Sequence, residues 1–493
     1  MSKIYLPIAE LKPALAGLGK VIQKSATLPV LRTVKVDRTR EGWITLTGTD
    51  LDAFVTVRLE EPANGEPASI LVPYEDLIKT TKGCSAVESI TVEQTSKENV
   101  VLHYPVGQQT AQLTMKSTDV AEFPPVPKIK TEPVSLNKDI RVALLEAMDC
   151  ASSDPTRYIL QGACIDVSDK KCHHVVGTDG RHLYSSNSFS LPLTESLIIP
   201  THKFLGRKEF NADGEWQLRA PLKDSDNQYL QISSRRWRFI HRGIEGNYPN
   251  WRQVVRNPDE TKTTIELEPS STDATVMLIA RMPHHDKVNR AVGIEIKAGY
   301  VRLLGKSQAS EPWTQFDVGP AKITGRDVTI FLNRDFLTKA LGFGLTRIEI
   351  IDELSPLRFV SGGRQMIVMP VRPDAVAPVP AQSPEPPATN TNPPPVEAQQ
   401  ERKPMPQNNT SAHGSTNGTP SQAASRSTPA TEKSALETAL AQVELVRGDF
   451  RNAITGLNKL AEALKAAQRE QKTADKDVQS VRNTLEKLQS VRL

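Results

Sequence analysis

The chain has 493 residues, with 61 Lys and Arg against 57 Asp and Glu and a net charge of +4. That length suits about three domains of ordinary size, and the near balance of charge excludes a protein that grips nucleic acid through overall basicity. Cys84, Cys150, Cys164 and Cys172 form no Cys-x-x-Cys pair, no apolar run approaches the ~18 residues of a membrane span, and no signal peptide opens the sequence, so a reduced, cytoplasmic, soluble protein is expected.

In chain order, residues 2–7 read as a strand and 8–22 as a helix, with Leu11, Ala14, Leu15, Leu18 and Ile22 on one face. Residues 34–36, 44–47 and 54–59 alternate as antiparallel strands. The apolar run 70–73 ends in Pro73, which suits the first turn of a helix over 74–79. Strands follow at 89–92, 100–104 and 111–116. A second set begins with a strand at 131–136 and a helix at 138–152. Strands at 172–177 and 182–189 come next, then the run 198–200 and a helical pattern at 201–204. A third set has a strand at 263–267, a helix at 271–282, and an apolar run 330–332 before Asn333, which caps a helix over 335–341.

The sets repeat in detail. Thr47-Gly48-Thr49-Asp50 returns as Val176-Gly177-Thr178-Asp179-Gly180, with Asp50 and Asp179 129 residues apart. Pro73 and Pro200 lie 127 apart, and Pro124 and Pro249 lie 125 apart. The third copy of the turn is degraded to Gly305-Lys306-Ser307-Gln308. Self-similarity at this spacing means tandem domains. The fold class is therefore α+β, with domains at 1–128, 129–260 and 261–373, each holding two helices and antiparallel sheets.

Residues 374–433 contain 12 prolines and no aromatic residue, Leu or Ile, the composition of a disordered linker. Residues 434–493 carry an apolar stripe, Leu436, Leu440, Val443, Val446, Phe450, Ile454, Leu457, Leu460 and Leu464, close to heptad spacing but interrupted by Gly448 and Gly456. It suits a coiled coil, a helical hairpin or a helix that docks on a partner.

Catalytic signals are lacking. His173-His174 and His284-His285 are adjacent pairs, and neighbours do not share a face; Asp50 and Asp179 sit in turns, where Asp is ordinary. There is no complete phosphate loop, nucleophile elbow or zinc spacing. No enzyme, metal or cofactor is expected.

Residues 26–31 (Ala-Thr-Leu-Pro-Val-Leu), 46–51, 154–162, 176–183, 246–254 and 366–372 (Met-Ile-Val-Met-Pro-Val-Arg) together resemble the bacterial sliding clamp, the beta subunit of the replicative DNA polymerase III. The resemblance covers residues 1–373 and leaves the tail outside. It implies three clamp domains per chain and a head-to-tail homodimer closing a ring around double-stranded DNA, with the helices lining the hole. Implied hole-facing residues are Lys12, Lys20, Lys24, Lys79, Lys82, Arg141, Lys203, Arg207, Arg281, Arg334 and Lys339, with Arg157 and Tyr158 in a loop near DNA. It further implies a hydrophobic cleft that takes a short linear motif of the polymerase alpha subunit, the clamp loader, repair polymerases, mismatch-repair proteins and ligase. Carried over by motif, its wall is Leu160, Thr178, Gly180, Leu183, Pro249, Val254, Leu354, Met369, Pro370, Val371 and Arg372. The dimer contact falls on Ala111 and Leu113 in the first domain and Leu278 and Ile279 in the third. Two departures from the family pattern stand out: Gln253 replaces a common Arg, and Arg181-His182 replaces His-Arg. The alternative to a replicative clamp is a divergent paralogue acting as a scaffold through its tail.

Overall fold

The computed structural model describes residues 2–221, 228–297 and 299–372. The expected linker at 374–433 and helical segment at 434–493 lie outside the described residues.

The chain opens with β1 (Ser2–Pro7), α1 (Ile8–Leu18), β2 (Thr33–Arg38), β3 (Ile44–Thr49), β4 (Ala53–Arg58), β5 (Ala68–Pro73), α2 (Tyr74–Lys82), β6 (Ser89–Gln94), β7 (Asn99–Val106) and β8 (Gln109–Lys116). The same order returns as β9 (Val134–Leu136), α3 (Lys138–Asp149), β10 (Gly162–Asp166), β11 (His173–Thr178), β12 (His182–Phe189), β13 (Leu197–Pro200), α4 (Lys208–Ala212), β14 (Trp216–Arg219), β15 (Tyr229–Ser233) and β16 (Trp237–Arg242). It returns again as β17 (Thr263–Leu267), α5 (Pro269–Arg281), β18 (Ala291–Lys297), β19 (Tyr300–Gly305), β20 (Thr314–Asp317), β21 (Ala321–Gly325), β22 (Val328–Asn333), α6 (Arg334–Gly342), β23 (Arg347–Ile350), β24 (Leu357–Ser361) and β25 (Arg364–Val368), with β21 as the one added strand.

The strands form four antiparallel sheets. Their orders are β1-β6-β7-β8, then β5-β2-β3-β4-β16-β15-β14-β9, then β13-β10-β11-β12-β25-β24-β23-β17-β21, and last β20-β19-β18-β22. Each copy thus supplies two half-sheets, and neighbouring copies join edge to edge. β4 pairs with β16 across the first seam, and β12 pairs with β25 across the second. The outermost half-sheets end in the open edges β8 and β20.

Local sequence explains the elements. α1 and α2 start directly after Pro7 and Pro73, while α3 and α6 are capped by the Asn137 and Asn333 side chains. α1 buries Ile8, Leu11, Ala14, Leu15 and Leu18 almost completely, and each large side chain so buried contributes roughly 1.5–3 kcal/mol. The helix ends at Leu18 rather than at residue 22, yet Val21 and Ile22 stay buried. Apolar spacing therefore continues past Gly19 without the helix. The helix expected at 201–204 is absent: Phe204 and Leu205 enter the core from turns, and the five-residue α4 begins at Lys208. Ions brace the first seam. Arg235 makes a two-pronged pair with Glu60, and Arg236 reaches Glu60 at 3.0 Å and buried Asp213 at 3.1 Å.

Candidate functional site

The repeated Thr-Asp turn is the starting point. Between β11 and β12, Thr178 Oγ1 donates to the His182 carbonyl at 2.6 Å and accepts from Gly180 N at 3.0 Å. Asp179 Oδ1 accepts from Arg181 N, His182 N and His182 Nδ1 at 2.8–2.9 Å. Burial pushes the Asp179 carboxyl up, but the His182 ring and these backbone donors outweigh it and hold the group at about 2. Gly180 has φ +84°, a conformation suited to glycine. The His182 ring stacks on Phe336 of α6 with centroids 4.0 Å apart, so the turn is fixed to the third copy as well as the second.

A largely apolar cavity of about 200 Å³ sits on this turn, lined by Leu160, Thr178, Gly180, Leu183, Pro249, Val254 and Met369, together with Arg181, His182, Asn250, Trp251 and Ile367. Beneath it Cys164, Val176, Leu183, Ile198, Trp251 and Ile367 form a separate apolar cluster. The wall bearing Val254 is clamped from below: Trp251 Nε1 donates to Asp166 at 2.8 Å and Arg252 Nη1 at 2.6 Å. Burial would raise the Asp166 carboxyl, but hydrogen bonds from Ser168, Trp251 and Arg252 hold it well below the usual carboxylate range. The wall carried over from sequence omitted Trp251 and Ile367, and Arg181 and His182 entered there only as a departure from the family pattern. An aromatic two residues past Pro249 was the available signal for the first.

Pro370, Val371 and Arg372 lie past Met369, where the cavity continues. With Arg181, Asn289, Asn333, Phe336 and Met369 they line an adjoining cavity of about 290 Å³. Val371 N donates to the Phe331 carbonyl at 2.7 Å, which draws the strand end toward the third copy. Leu354 lines neither cavity. It follows Asp352 in a tight turn whose carboxylate accepts from Leu354 N and Ser355 N, and its side chain is exposed. A larger cavity, about 1020 Å³, lies beside the first seam with a mixed lining that includes Asp52, Leu145, Met148, His202, His241 and Arg242.

The expected hole-facing cations divide into two groups. Lys20, Lys82, Lys203 and Arg281 are exposed and have no side-chain partner among the described residues. Lys24 and Lys79 are exposed beside Glu75 and Asp76. The others hold the fold together. Arg141 donates to the Asn211 and Gly214 carbonyls, Arg207 to Ala16 O at 2.9 Å, and Lys12 to Cys84 O at 2.7 Å. Arg334 is buried against Met282 O, and Lys339 bonds the Asp149 carbonyl. In these five the cation donates to a backbone carbonyl; Lys12 stays exposed all the same, while Arg334 is buried. Arg157 donates to Asp179 O at 2.6 Å and the Tyr158 hydroxyl accepts from Glu245 N at 2.9 Å; both side chains are about half exposed.

Among the expected contact residues between copies, Ala111 and Leu113 are partly exposed on the open edge β8. Ile279 is only 1% exposed and belongs to the core, which corrects its assignment. One turn of helix puts Ile279 inward with Thr272 and Thr275 and leaves Met277 outside, with Leu278 half-buried. Among the described residues, no group of His, Cys, Asp and Glu is arranged to hold a metal ion, and no helix is long and apolar enough to cross a membrane.

Comparison with known proteins agrees on one family. The family pattern for the DNA polymerase III beta subunit, N-terminal domain, matches residues 6–127. A beta sliding clamp of Streptococcus pneumoniae is 25% identical over 377 residues, covering 73% of this chain and 96% of that protein. One from Pseudomonas putida is 27% identical over 383 residues, covering 74% and 98%. The crystal structure of the beta subunit from the DNA polymerase of Streptococcus pyogenes aligns with a TM-score of 0.64 at 21% identity, over 75% of this chain and 100% of that one. The DNA polymerase III beta subunit of Pseudomonas aeruginosa aligns at 0.62 and 19% identity over the same shares. At those identities the structural likeness speaks for the fold.

Proposed function

The chain belongs to the DNA polymerase III beta-subunit family, and from that premise we propose that it acts as a sliding clamp, a ring that encircles duplex DNA and tethers the replicative polymerase. One observation carries the ring: within the chain, both seams between copies pair the last strand of one half-sheet with the last strand of the next, β4 with β16 and β12 with β25. The third copy's equivalent strand is β20 and the first copy's is β8, and both are open edges. Pairing β20 of one molecule with β8 of another repeats the same seam. Two molecules then close six copies by two identical head-to-tail contacts, and such a contact yields a ring when the rotation closes.

Three domains per chain, bounded near 128 and 260, follow the topological repeat. Retention on DNA is topological in this reading. Residues 1–373 hold 47 Lys and Arg against 44 Asp and Glu, and few of the helix cations are free, so contacts to phosphate are loose and carry no sequence information. The protein itself is non-catalytic and cytoplasmic in this proposal. The apolar cleft takes a short segment from the polymerase, and by the same chemistry from the clamp loader, repair polymerases, mismatch-repair proteins and ligase.

Loading on circular DNA tests the ring. The clamp is expected to survive a moderate salt wash on closed circles and to be lost once the DNA is cut. Equal loss from both forms, with steep salt dependence, would mean ordinary electrostatic binding instead.

A further inference from the structure

We propose that the hollow beside the first seam is a second peptide site, which takes an extended partner segment carrying a basic side chain next to an apolar one. The inference extends the reading of the cleft as a peptide site to the cleft's counterpart one copy earlier.

Two cavities meet at the second seam, because Arg181 and Met369 line both; they form one groove, with an apolar lobe of about 200 Å³ and a second lobe of about 290 Å³. The repeat carries the frame of that second lobe to the first seam. His182 faces Val368 across β12–β25 as Ala53 faces His241 across β4–β16. Next along the chain, Met369 N donates to Arg181 O at 3.1 Å, and Arg242 N donates to Asp52 O at 3.0 Å. Beyond that, Val371 N donates to Phe331 O at 2.7 Å, and Ile244 N donates to Ile198 O at 3.4 Å. Arg181, Met369, Pro370, Val371 and Arg372 line the second lobe. Their counterparts Asp52, Arg242, Gly243, Ile244 and Glu245 all line the hollow of about 1020 Å³. The backbone that frames a groove at one seam thus frames a wider one at the other.

The lining suits a peptide. Leu145, Met148, Pro200 and Ile244 supply apolar surface for a side chain. His202 Nδ1 accepts from Phe204 N at 3.2 Å, while His241 Nδ1 donates to Arg242 O at 2.7 Å. In neutral rings these bonds fix the tautomers, so His202 offers Nε2–H as a donor and His241 offers a bare Nε2 as an acceptor. With ring centroids 5.8 Å apart, the pair matches the C=O and N–H of a peptide backbone. Charge selects the side chain. Asp52 and Glu245 stand where the second seam has Arg181 and Arg372, and both are exposed with no side-chain partner among the described residues. Asp149 is engaged by Lys339 at 3.6 Å. Lys203 and Arg242 share the lining, and Asp52, Asp149 and Glu245 beside these two cations disfavour a nucleic-acid backbone. A Lys or Arg on a peptide instead gains charge-assisted hydrogen bonds to Asp52 and Glu245.

The test uses the full-length protein and fluorescein-labelled octapeptides, each with a central Leu-Leu pair flanked by Lys, Ser or Glu. They are titrated by fluorescence anisotropy while an unlabelled Leu-Phe-anchored peptide saturates the cleft at the second seam. At low salt the Lys-flanked peptide is expected to bind about fivefold tighter than the Ser-flanked one, and the Glu-flanked one more weakly still, with the differences shrinking as salt rises. Asp52→Asn combined with Glu245→Gln should remove the Lys preference and leave the Leu-Phe-anchored peptide's affinity for the cleft unchanged. Met369→Ala should leave the labelled series unchanged. Absence of binding, or equal affinity of all three peptides, overturns the proposal and leaves the cleft reading intact. Loss of the labelled series in Met369→Ala places those peptides in the cleft and also overturns it. A Lys preference that persists in the double variant overturns the assignment to Asp52 and Glu245. Failure of the unlabelled peptide to bind overturns the cleft reading alone, because the labelled series is read against the first-seam variants.

Discussion

Gly180 and Leu51 hold one backbone position in two copies of the same turn, at φ +84° and +86°. In the first copy Thr49 Oγ1 donates to the Ala53 carbonyl and accepts from Leu51 N, and Asp50 Oδ1 accepts from Ala53 N, repeating the Thr178-Asp179 pattern. A left-handed conformation costs an ordinary residue roughly 1–2 kcal/mol, whereas glycine adopts it freely but loses more chain entropy on folding. Leu51→Gly is therefore expected to stabilise the protein slightly, by less than about 1 kcal/mol, since the side chain is 43% exposed. Gly180→Ala should do the reverse, by about 1–2 kcal/mol, because its Cβ would lie 2.7 Å from Arg157 Nη1. Chemical denaturation of both variants checks the opposite signs.

Met369 stands at the mouth of the apolar lobe, 43% exposed with its thioether free to repack. Met369→Ala is predicted to weaken a Leu-Phe-anchored peptide at least tenfold and to leave the oligomeric state unchanged. Anisotropy titration paired with light scattering separates the two effects; unchanged peptide affinity would remove this cleft as the partner site.

Closure of the ring is predicted to depend on the edges β8 and β20 and on the exposed Met277 beside them in the proposed contact. Leu113→Asp combined with Met277→Asp should convert a dimer into monomers with a native circular dichroism spectrum. A protein that is monomeric at micromolar concentration before any substitution would sink the head-to-tail proposal.

His202 sets an expectation for acid. Burial, with His241 and Lys203 nearby, pushes its proton affinity down to about 4, well below the ordinary value near 6.5. The folded state resists the proton that the unfolded chain takes up. The stabilisation is full above pH 6.5 and lost as pH falls toward 4. Asp179, held at about 2, loses its contribution only below the ordinary carboxylate range, so it does not act in that window. Urea midpoints measured from pH 7 to 4 should fall, and His202→Phe, which keeps a ring against Phe239, should flatten the fall. Parallel curves for the two proteins would contradict this.

The repeat was legible because alternation and turn chemistry are local: β1, β12 and β17 fall where period-two patterns and the Thr-Asp turns put them. The limits are equally physical. Lys203 and Lys339 look alike in sequence, yet one is exposed and the other is tied to Asp149, because only the tertiary fold brings Lys339 of α6 to the C-terminal end of α3. The cleft residues that carry the motif, Leu160, Leu183, Pro249, Val254 and Met369, gather around one cavity, whereas Leu354 does not. Its place depends on the β23–β24 turn, whose geometry the spacing of apolar residues does not encode. Ile279 is one step of helix from Leu278 and two from Met277, and turns of about 100° per residue exchange core for solvent.

Arg181 on β12's side and Met369 on β25's side are joined across the second seam, where Met369 N donates to the Arg181 carbonyl at 3.1 Å. The same two residues line both lobes of the groove. The groove therefore belongs to neither strand alone and vanishes if the seam parts. By linkage, whatever a guest gains on seating is added to the work needed to separate β12 from β25. The corresponding bond at the first seam, Arg242 N to the Asp52 carbonyl at 3.0 Å, lies at the cavity of about 1020 Å³ that both residues line. A guest seated against Arg181 and Met369 thus acts as a splint on the seam between β12 and β25, which is expected to part less readily when the groove is filled than when it is empty.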